Sequence, residues 1–164
     1  MRPSRRSRAT SSATLAEAMS SENVELIRAA LPEDVDIAEI FASDDPVAAF
    51  IGDADIVAPD LEVEFAASHS GVPALHYQGL EGLLEGWRDW LTPWGTYQLE
   101  VEDMLDAGDR VVTLVRVRAK TSRHGVEVEH RPAAVWTLRD GKLTAVHFFL
   151  ERADALAFAG LPQQ

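Results

Sequence analysis

The Asp140-Gly141 dipeptide constrains the fold of this chain more than any other short feature of its sequence. It separates two apolar, largely alternating runs, and Asp-Gly in that setting is typical of the two-residue turn of a β-hairpin. Such a turn determines which residues of the two strands lie opposite each other, and therefore which side chains share a face of the sheet. The sequence thus predicts both the hairpin and its register.

Counting outwards from this turn, the expected register places Ala134 opposite His147 and His130 opposite Glu151. One face, which we call the inner face, is then apolar near the turn and polar at its far end. Its expected members are Leu138, Leu143, Trp136, Ala145, Ala134, His147, Pro132, Phe149, His130 and Glu151. The opposite, outer face is expected to carry Val135, Val146, Phe148 and Leu150.

A second hairpin is expected around residues 122–125. A four-residue loop there pairs Arg118 with Glu129 and Lys120 with Glu127 on the outer face, where opposite charges are favourable neighbours. The alternate residues of the same strand then point to the inner face, and these are Val111, Thr113, Val115 and Val117.

Elsewhere the pattern places helices first, then one strand, one helix and a four-stranded meander. That order predicts an α+β fold with helices packed on one face of an antiparallel sheet. Helices are expected over 22–31 (capped by Ser20 or Ser21), 34–42, 46–52, 79–94 and 152–161. Strands are expected near 60–68 and across 97–122, with a loop over 69–79 between the first strand and the fourth helix.

Composition limits the classes of function. The 164 residues include no Cys, which excludes thiolate chemistry and fits a reducing, cytoplasmic location. Residues 1–18 hold four Arg and one acid, so residues 19–164 keep 11 basic and 26 acidic residues, a net charge of −15. We therefore expect a disordered basic extension over 1–18 and a single domain over 19–164. A domain this acidic repels nucleic acid, and no apolar run is long enough for a membrane span.

The polar end of the inner face is the most suggestive candidate site, because a cavity with a few convergent polar groups is the usual form of a small-molecule site. His130 and Glu151 are expected to form an acid–base pair, with His147 acting separately. The candidate ligand-binding residues are Trp136, Phe149, Trp87, Trp90, Val115 and Val117. The alternatives are a structural polar pair at the sheet margin and ordinary core packing of the tryptophans. The chain has no metal-ligand spacing and no glycine-rich nucleotide motif, so no metal or cofactor is expected.

Several segments together resemble the SnoaL-like branch of the NTF2-like superfamily over roughly residues 19–161. They are "SSENVELIRAAL", "GLEGLLEGWRDWL", "DAGDRVVTLVRVRA", "GVEVEHRPAAVWTLRDGKL" and "FFLERADALAFAGL". The resemblance implies a cone-shaped α+β fold, in which a bent antiparallel sheet wraps around helices and encloses a pocket. It also implies a homodimer built on the outer face of the sheet.

Members of this superfamily include polyketide cyclases, ketosteroid isomerases and limonene-type epoxide hydrolases. The cyclases resemble one another in using an acidic residue on a late strand as a base, and Glu151 is the nearest match. The isomerases use a tyrosine as an oxyanion donor, but Tyr77 and Tyr97 are expected in a loop and at a strand start. The resemblance thus implies binding of a small hydrophobic molecule, with cofactor-free isomerase or cyclase chemistry on a carbonyl compound. The alternative is a non-catalytic lipophilic-ligand-binding or structural homodimer module.

Overall fold

Eight strands form one sheet in the computed structural model, which describes residues 22–51, 54–65 and 75–162. The strands are β1 (Asp34–Asp36), β2 (Val57–Phe65), β3 (Leu75–Gln78), β4 (Trp94–Ala107), β5 (Arg110–Thr121), β6 (Glu127–His130), β7 (Ala133–Arg139) and β8 (Lys142–Phe149). The helices are α1 (22–30), α2 (Ile37–Phe41), α3 (Pro46–Phe50), α4 (Gly79–Leu91) and α5 (Arg152–Ala159), with a 3-10 turn at Ala54–Ile56.

The sheet is bent and mixed, in the order β1-β4-β5-β7-β8-β2-β3, with β6 beside β5. The α+β prediction is confirmed, but β2 and β8 run parallel, so the sheet is not wholly antiparallel. The hairpin at Asp140-Gly141 is also confirmed. Asp140 (φ 51°) and Gly141 (φ 74°) both adopt the left-handed conformation that this type of turn requires. The Ser20 and Ser21 caps predicted for α1 lie outside the described residues.

Two segments differ from the sequence-based prediction. Residues 34–36 pair with β4 as a strand, and helix α2 begins only after Asp36, whose carboxylate accepts hydrogen bonds from the N–H groups of Ala38 and Glu39. A short carboxylate-capped helix thus follows an extended segment, where the sequence suggested one continuous helix. The second difference is β3, which pairs with β2 in a region predicted to be loop.

The predicted register between β7 and β8 is wrong beyond the first two pairs, because β8 contains a β-bulge. Leu138 pairs with Leu143 as expected, but Thr137 then pairs with Ala145, which leaves Thr144 as the extra residue. The Thr144 hydroxyl donates a hydrogen bond to the Thr137 carbonyl at 3.2 Å. A shift of one residue moves every later side chain of the strand to the opposite face.

The shift exchanges the two faces of β8. Val146 now lies opposite Trp136 and Phe148 opposite Ala134, so these two apolar side chains face inwards. His147 lies opposite Val135 and points outwards. The predictions that His147 and Phe149 are on the inner face, and that Val146 and Phe148 are on the outer face, are therefore wrong.

The predicted cross-strand pair of His130 and Glu151 is also absent. Pro132 has no N–H to donate to the ladder, and the chain breaks there into β6 and β7. His130 on β6 pairs with Val117 of β5, whereas Glu151 lies beyond the end of β8 as the exposed residue that precedes α5. The two residues are not on neighbouring strands. The pairs Arg118–Glu129 and Lys120–Glu127 are confirmed.

The two faces of the sheet bury separate apolar clusters. The inner cluster packs against α1, α2 and α4 through residues such as Ile27, Ile37 and Trp87. The outer cluster is smaller and lies beneath α5, which contributes Ala155 and Leu156. None of the helices in the described segments is long and apolar enough to cross a lipid bilayer.

Candidate functional site

A cavity lies between the inner face of the sheet and the helices. About 70 Å³ of it is open to the centre of a water-sized sphere, and its total empty volume is about 730 Å³ when the solvent at its open mouth is included. A single water needs roughly 10–15 Å³ on the first of these measures, so the cavity has room for several non-hydrogen atoms of a ligand. The walls come mainly from β4, β5, β7 and α4, and they are almost entirely apolar.

All six predicted ligand-binding residues line this cavity, namely Trp87, Trp90, Val115, Val117, Trp136 and Phe149. Val115, Val117 and Trp136 are there because alternate residues of β5 and β7 face inwards, as the hairpin pattern indicated. Phe149 belongs to the outer cluster and reaches the cavity at the end of β8. The role of these six residues in binding stays a prediction.

Tyr97 is the polar residue of the cavity that sequence reasoning missed. Its side chain is 2% exposed, and its hydroxyl oxygen accepts a hydrogen bond from the Trp90 indole N–H at 2.9 Å. No acceptor for its own O–H is found among residues 22–51, 54–65 and 75–162. Burial raises the pKa of Tyr97 to about 12, so the phenol stays protonated at neutral pH. It is therefore a neutral hydrogen-bond donor inside an apolar space.

A signal for Tyr97 was present in the sequence. Tyr97, Leu99 and Val101 alternate along β4 with Gln98 and Glu100, and all three line the cavity. Alternation therefore placed the tyrosine on the inner face. Its position at the start of a strand hid this, because the strand was not assigned to a cavity wall.

A second hydroxyl–indole pair lies deeper in the same wall. Thr113 is 1% exposed, and its hydroxyl oxygen accepts a hydrogen bond from the Trp136 indole N–H at 2.9 Å. This bond satisfies the buried indole N–H of Trp136, which the sequence predicted to line the site. Because a buried, unpaired indole is costly, Thr113 is best explained as the partner that permits tryptophan at this position.

His130 is the only predicted acid–base residue that the structure places in the cavity. Its ring is half-buried and lies edge-on to the Tyr97 ring, with 6.4 Å between the ring centroids. Burial lowers the pKa of His130, so the imidazole is neutral at pH 7. A neutral imidazole has one nitrogen that accepts a proton, and here it lies in the same cavity as the Tyr97 donor.

His147 lies on the other side of the sheet, in a polar groove between β8, β2 and β3. Its Nε2 is 3.8 Å from Oε2 of Glu64, and Nδ1 of His76 is also 3.8 Å from that oxygen. Both distances exceed those of a hydrogen bond. The His147 and Phe158 rings pack together with 4.5 Å between their centroids. The buried Nδ1 of His147 has no hydrogen-bond partner in the described chain.

Burial of His147 lowers its pKa, and the nearby Glu64 carboxylate opposes this effect. Among residues 22–51, 54–65 and 75–162, no group of three or more His, Asp or Glu side chains is arranged to hold a metal ion. Glu151 is exposed and does not line the cavity. The bulge in β8 thus turns His147 away from the cavity. Glu151 is outside the cavity because it lies beyond the end of β8.

Comparison with solved structures supports the same fold. A SnoaL-like polyketide cyclase from Jannaschia sp. CCS1 is 16% identical, with 66% of this chain and 76% of the other covered, at a TM-score of 0.51. An NTF2-like protein from Burkholderia thailandensis is 25% identical, with 77% and 95% covered, at 0.52. A protein of ketosteroid isomerase-like fold from Catenulispora acidiphila, solved with trimethylamine, is 14% identical, with 80% and 95% covered, at 0.52.

The search of curated proteins found no match. The model of the SnoaL-like domain, in contrast, matches residues 13–146, which is most of the chain. This match agrees with the order of the elements, the bent sheet and the enclosed cavity. The chain therefore belongs to the SnoaL-like family.

Proposed function

We propose that the cavity binds a small, mainly apolar molecule that carries a single hydrogen-bond-accepting oxygen, such as the carbonyl of an aromatic or alicyclic ketone. The observation that carries the proposal is the Tyr97 hydroxyl, which is buried, protonated, and without an acceptor for its O–H in the described chain. A buried donor without a partner is costly, and a ligand oxygen removes that cost.

The composition of the walls supports the same class of ligand. Aromatic and aliphatic side chains surround the cavity, Trp136 and Trp87 among them. Tyr97, Thr113 and His130 are the polar side chains of the lining among the described residues, and Tyr97 and His130 lie together, with 6.4 Å between their ring centroids. No charged side chain lines the cavity among the described residues, so an ionic ligand is disfavoured.

The test compares two ligands of nearly the same shape, acetophenone and ethylbenzene, which differ in the carbonyl oxygen. Their affinities are measured by NMR titration for the wild-type protein and for Tyr97→Phe. We expect Tyr97→Phe to weaken acetophenone binding about 3- to 10-fold, the loss given by one neutral hydrogen bond, and to change ethylbenzene binding less than about 2-fold.

Tyr77→Phe is the matched control, because the Tyr77 hydroxyl donates its hydrogen bond to Asp89 outside the cavity at 3.1 Å. This substitution also removes one phenolic oxygen, but from a residue that does not line the cavity. If neither compound binds the wild-type protein, the proposal is wrong. If both compounds bind and Tyr97→Phe weakens both equally, the hydroxyl does not recognise the oxygen.

A second candidate function is proton transfer next to the carbonyl, and the proximity of His130 to Tyr97 favours it. His130 takes a proton from the carbon beside the carbonyl, and the electron pair forms a carbon–carbon double bond and places negative charge on the oxygen. The Tyr97 O–H stabilises that oxyanion, and the proton then returns to carbon. This is the elementary step of a cofactor-free isomerase or cyclase.

The measurement is deuterium exchange of the acetophenone methyl group in D₂O, followed by NMR. We expect the protein to accelerate exchange and His130→Ala to abolish the acceleration. Glu151→Gln tests the acid predicted from the family resemblance, which lies outside the cavity. Binding without any accelerated exchange identifies a non-catalytic ligand-binding protein, and a loss of exchange in Glu151→Gln alone restores Glu151 as the base.

Two further expectations accompany the proposal and stay predictions. The first is a homodimer through the outer face of the sheet, where Arg116 and Glu129 form a cross-strand ion pair at 2.9 Å. Sedimentation of the purified protein tests it. The second is a cytoplasmic location, which the absence of Cys favours.

A further inference from the structure

A surface groove runs beside α4, on the side of the helix that faces β3 and the start of β4. Its volume is about 330 Å³ and its walls are almost entirely apolar, with Leu75 and Trp94 at its edges. Leu75, the first residue of β3, is 51% exposed. An apolar surface of this kind marks an interaction with an apolar partner or ligand.

The groove and the cavity share one wall. Phe65 and Trp90 are the only described residues that line both spaces. The two spaces therefore meet at these two side chains, and a displaced Phe65 or Trp90 is the change that would connect them.

The two side chains differ in how firmly they are held. Phe65 is 3% exposed, stacks on Phe148 with 4.5 Å between the ring centroids, and meets Tyr77 and Trp87 edge-on. Close contact with Gly86 confines the Phe65 ring further, since a Cβ at that glycine would lie 2.4 Å from its Cε2 atom. Trp90 is only half-buried, and the contacts that hold it are a tilted one with Phe65 and the hydrogen bond to Tyr97.

We infer that this groove is a second entrance to the cavity for the small apolar ligand, besides the open mouth, and that Trp90 is its gate, held shut by the hydrogen bond to Tyr97. The inference rests on the proposed function, because it concerns the path of the same ligand. It gives Trp90 a second role besides lining the wall, because its indole blocks the entrance. The indole N–H also donates a hydrogen bond to Tyr97, the residue proposed to recognise the ligand.

The same hydrogen bond links closure to occupancy. When a ligand oxygen accepts the Tyr97 O–H, the chain runs from the Trp90 N–H through the phenol oxygen to the ligand. Hydrogen bonds in such a chain polarise and strengthen one another. A ligand with an accepting oxygen therefore holds the gate shut behind it, whereas a hydrocarbon of the same shape does not.

The experiment uses ethylbenzene as the probe, because it makes no hydrogen bond to Tyr97 and reports on the gate alone. Its association and dissociation rates are measured by stopped-flow tryptophan fluorescence or NMR exchange in the full-length protein. The variants are Trp90→Phe, Tyr97→Phe and the two combined, with Tyr77→Phe as the matched control. We expect each single change to raise both rates about 3- to 10-fold, and the double variant to be no faster than the faster single variant, because all three remove one bond.

Additive effects in the double variant, or unchanged rates in both single variants, overturn the gate. Acceleration by Leu150→Ala alone overturns the entrance, since Leu150 lines the cavity but not the groove and is 39% exposed. These results are distinct from failure of the proposed function, in which neither ethylbenzene nor acetophenone binds the wild-type protein. For acetophenone, we expect Trp90→Phe to raise the dissociation rate by a larger factor than it does for ethylbenzene.

Discussion

The two faces of the central sheet are built from the same strands but are completed in opposite ways. On the outer face, α5 lies directly on Val112, Leu114 and Val135 and leaves a filled core. On the inner face, α1, α2 and α4 are spaced so that a cavity remains between them and Val115 and Trp136. The difference shows that a single alternating strand such as β5 contributes to a closed core and to a ligand site at the same time.

The polar residues of the two faces also differ in how they are satisfied. Inside, the indole N–H groups of Trp90 and Trp136 each donate to a hydroxyl oxygen, and neither the Tyr97 nor the Thr113 hydroxyl donates a hydrogen bond within the described residues. Outside, the polar groups lie around His147 and Glu64 in an open groove, where water is available. A hydrogen bond donated by Tyr97 therefore does not compete with water, because the residue is buried, whereas polar groups in the outer groove lie next to solvent.

The largest expected effect comes from matched deletions on the two faces. Val135→Ala removes a fully buried side chain from beneath α5, and we expect it to lower the free energy of unfolding by roughly 2–3 kcal/mol. Val115→Ala removes the same atoms from the cavity wall, where part of their surface already has no packing partner, and we expect a loss of about 1 kcal/mol. Urea denaturation measures both, and equal losses would show that the cavity side is as tightly packed as the outer side.

A somewhat smaller effect is expected where α5 is fastened to the sheet. The Arg110 guanidinium donates a hydrogen bond to the Phe158 carbonyl near the end of the helix at 2.9 Å and lies over the Phe158 ring at 4.7 Å. We expect Arg110→Met to cost about 1–2 kcal/mol and to speed hydrogen exchange in α5. Ethylbenzene affinity is the control, because α5 covers the outer face, and a large change in that affinity would show that the two faces are coupled.

The pH dependence of stability compares the two histidines. Burial lowers the pKa of both His130 and His147 below the ordinary value near 6.5. For His147, the Glu64 and Glu62 carboxylates oppose this effect, whereas Arg110 and His76 lower the pKa further. The unfolded chain therefore binds protons first as the pH falls. The stability that these neutral imidazoles provide is fully present above about pH 7 and is lost as the pH falls through 6.5 towards the folded-state pKa values.

We expect the free energy of unfolding to rise between pH 5 and pH 7, and His130→Gln and His147→Gln each to flatten that rise. NMR titration of the imidazole protons separates the two sites. Acetophenone is expected to shift the His130 resonances and to leave those of His147 unchanged, because His147 lies on the opposite side of the sheet. A shift of both histidines would place the ligand elsewhere.

The smallest effect is expected for the exposed ion pairs of the outer face. Lys120 and Glu127 lie 3.7 Å apart on neighbouring strands, and both side chains are well exposed. We expect Glu127→Gln to change the free energy of unfolding by less than about 0.5 kcal/mol, and the change to vanish in 1 M salt. A loss above 1 kcal/mol would mean that this edge of the sheet is covered in the folded protein, as a dimer would require.

The sequence by itself determined the elements that depend on local chemistry. The Asp140-Gly141 turn, the alternation in β5 and the apolar stripe of α4 were predicted correctly, because turn geometry and periodicity are set by residues close in the chain. The α+β class followed from the order of these elements, and the SnoaL-like family from the resemblance of five sequence segments. Alternation placed Val115, Val117 and Trp136 correctly on the inner face, and all six predicted wall residues line the cavity, although Phe149 belongs to the outer cluster.

The tertiary structure decided which face each side chain of β8 occupies and which polar groups meet. One extra residue at Thr144 reverses the strand, and its position depends on how β8 fits between β7 and its parallel neighbour β2, which is distant in the sequence. The same fit buries Phe148 against Phe65 and sends His147 outwards. Tyr97 meets Trp90 only because β4 returns beneath α4. Periodicity has no information about such non-local packing, and for that reason the sequence predicted the walls of the cavity and His130 but missed Tyr97 and misplaced His147 and Glu151.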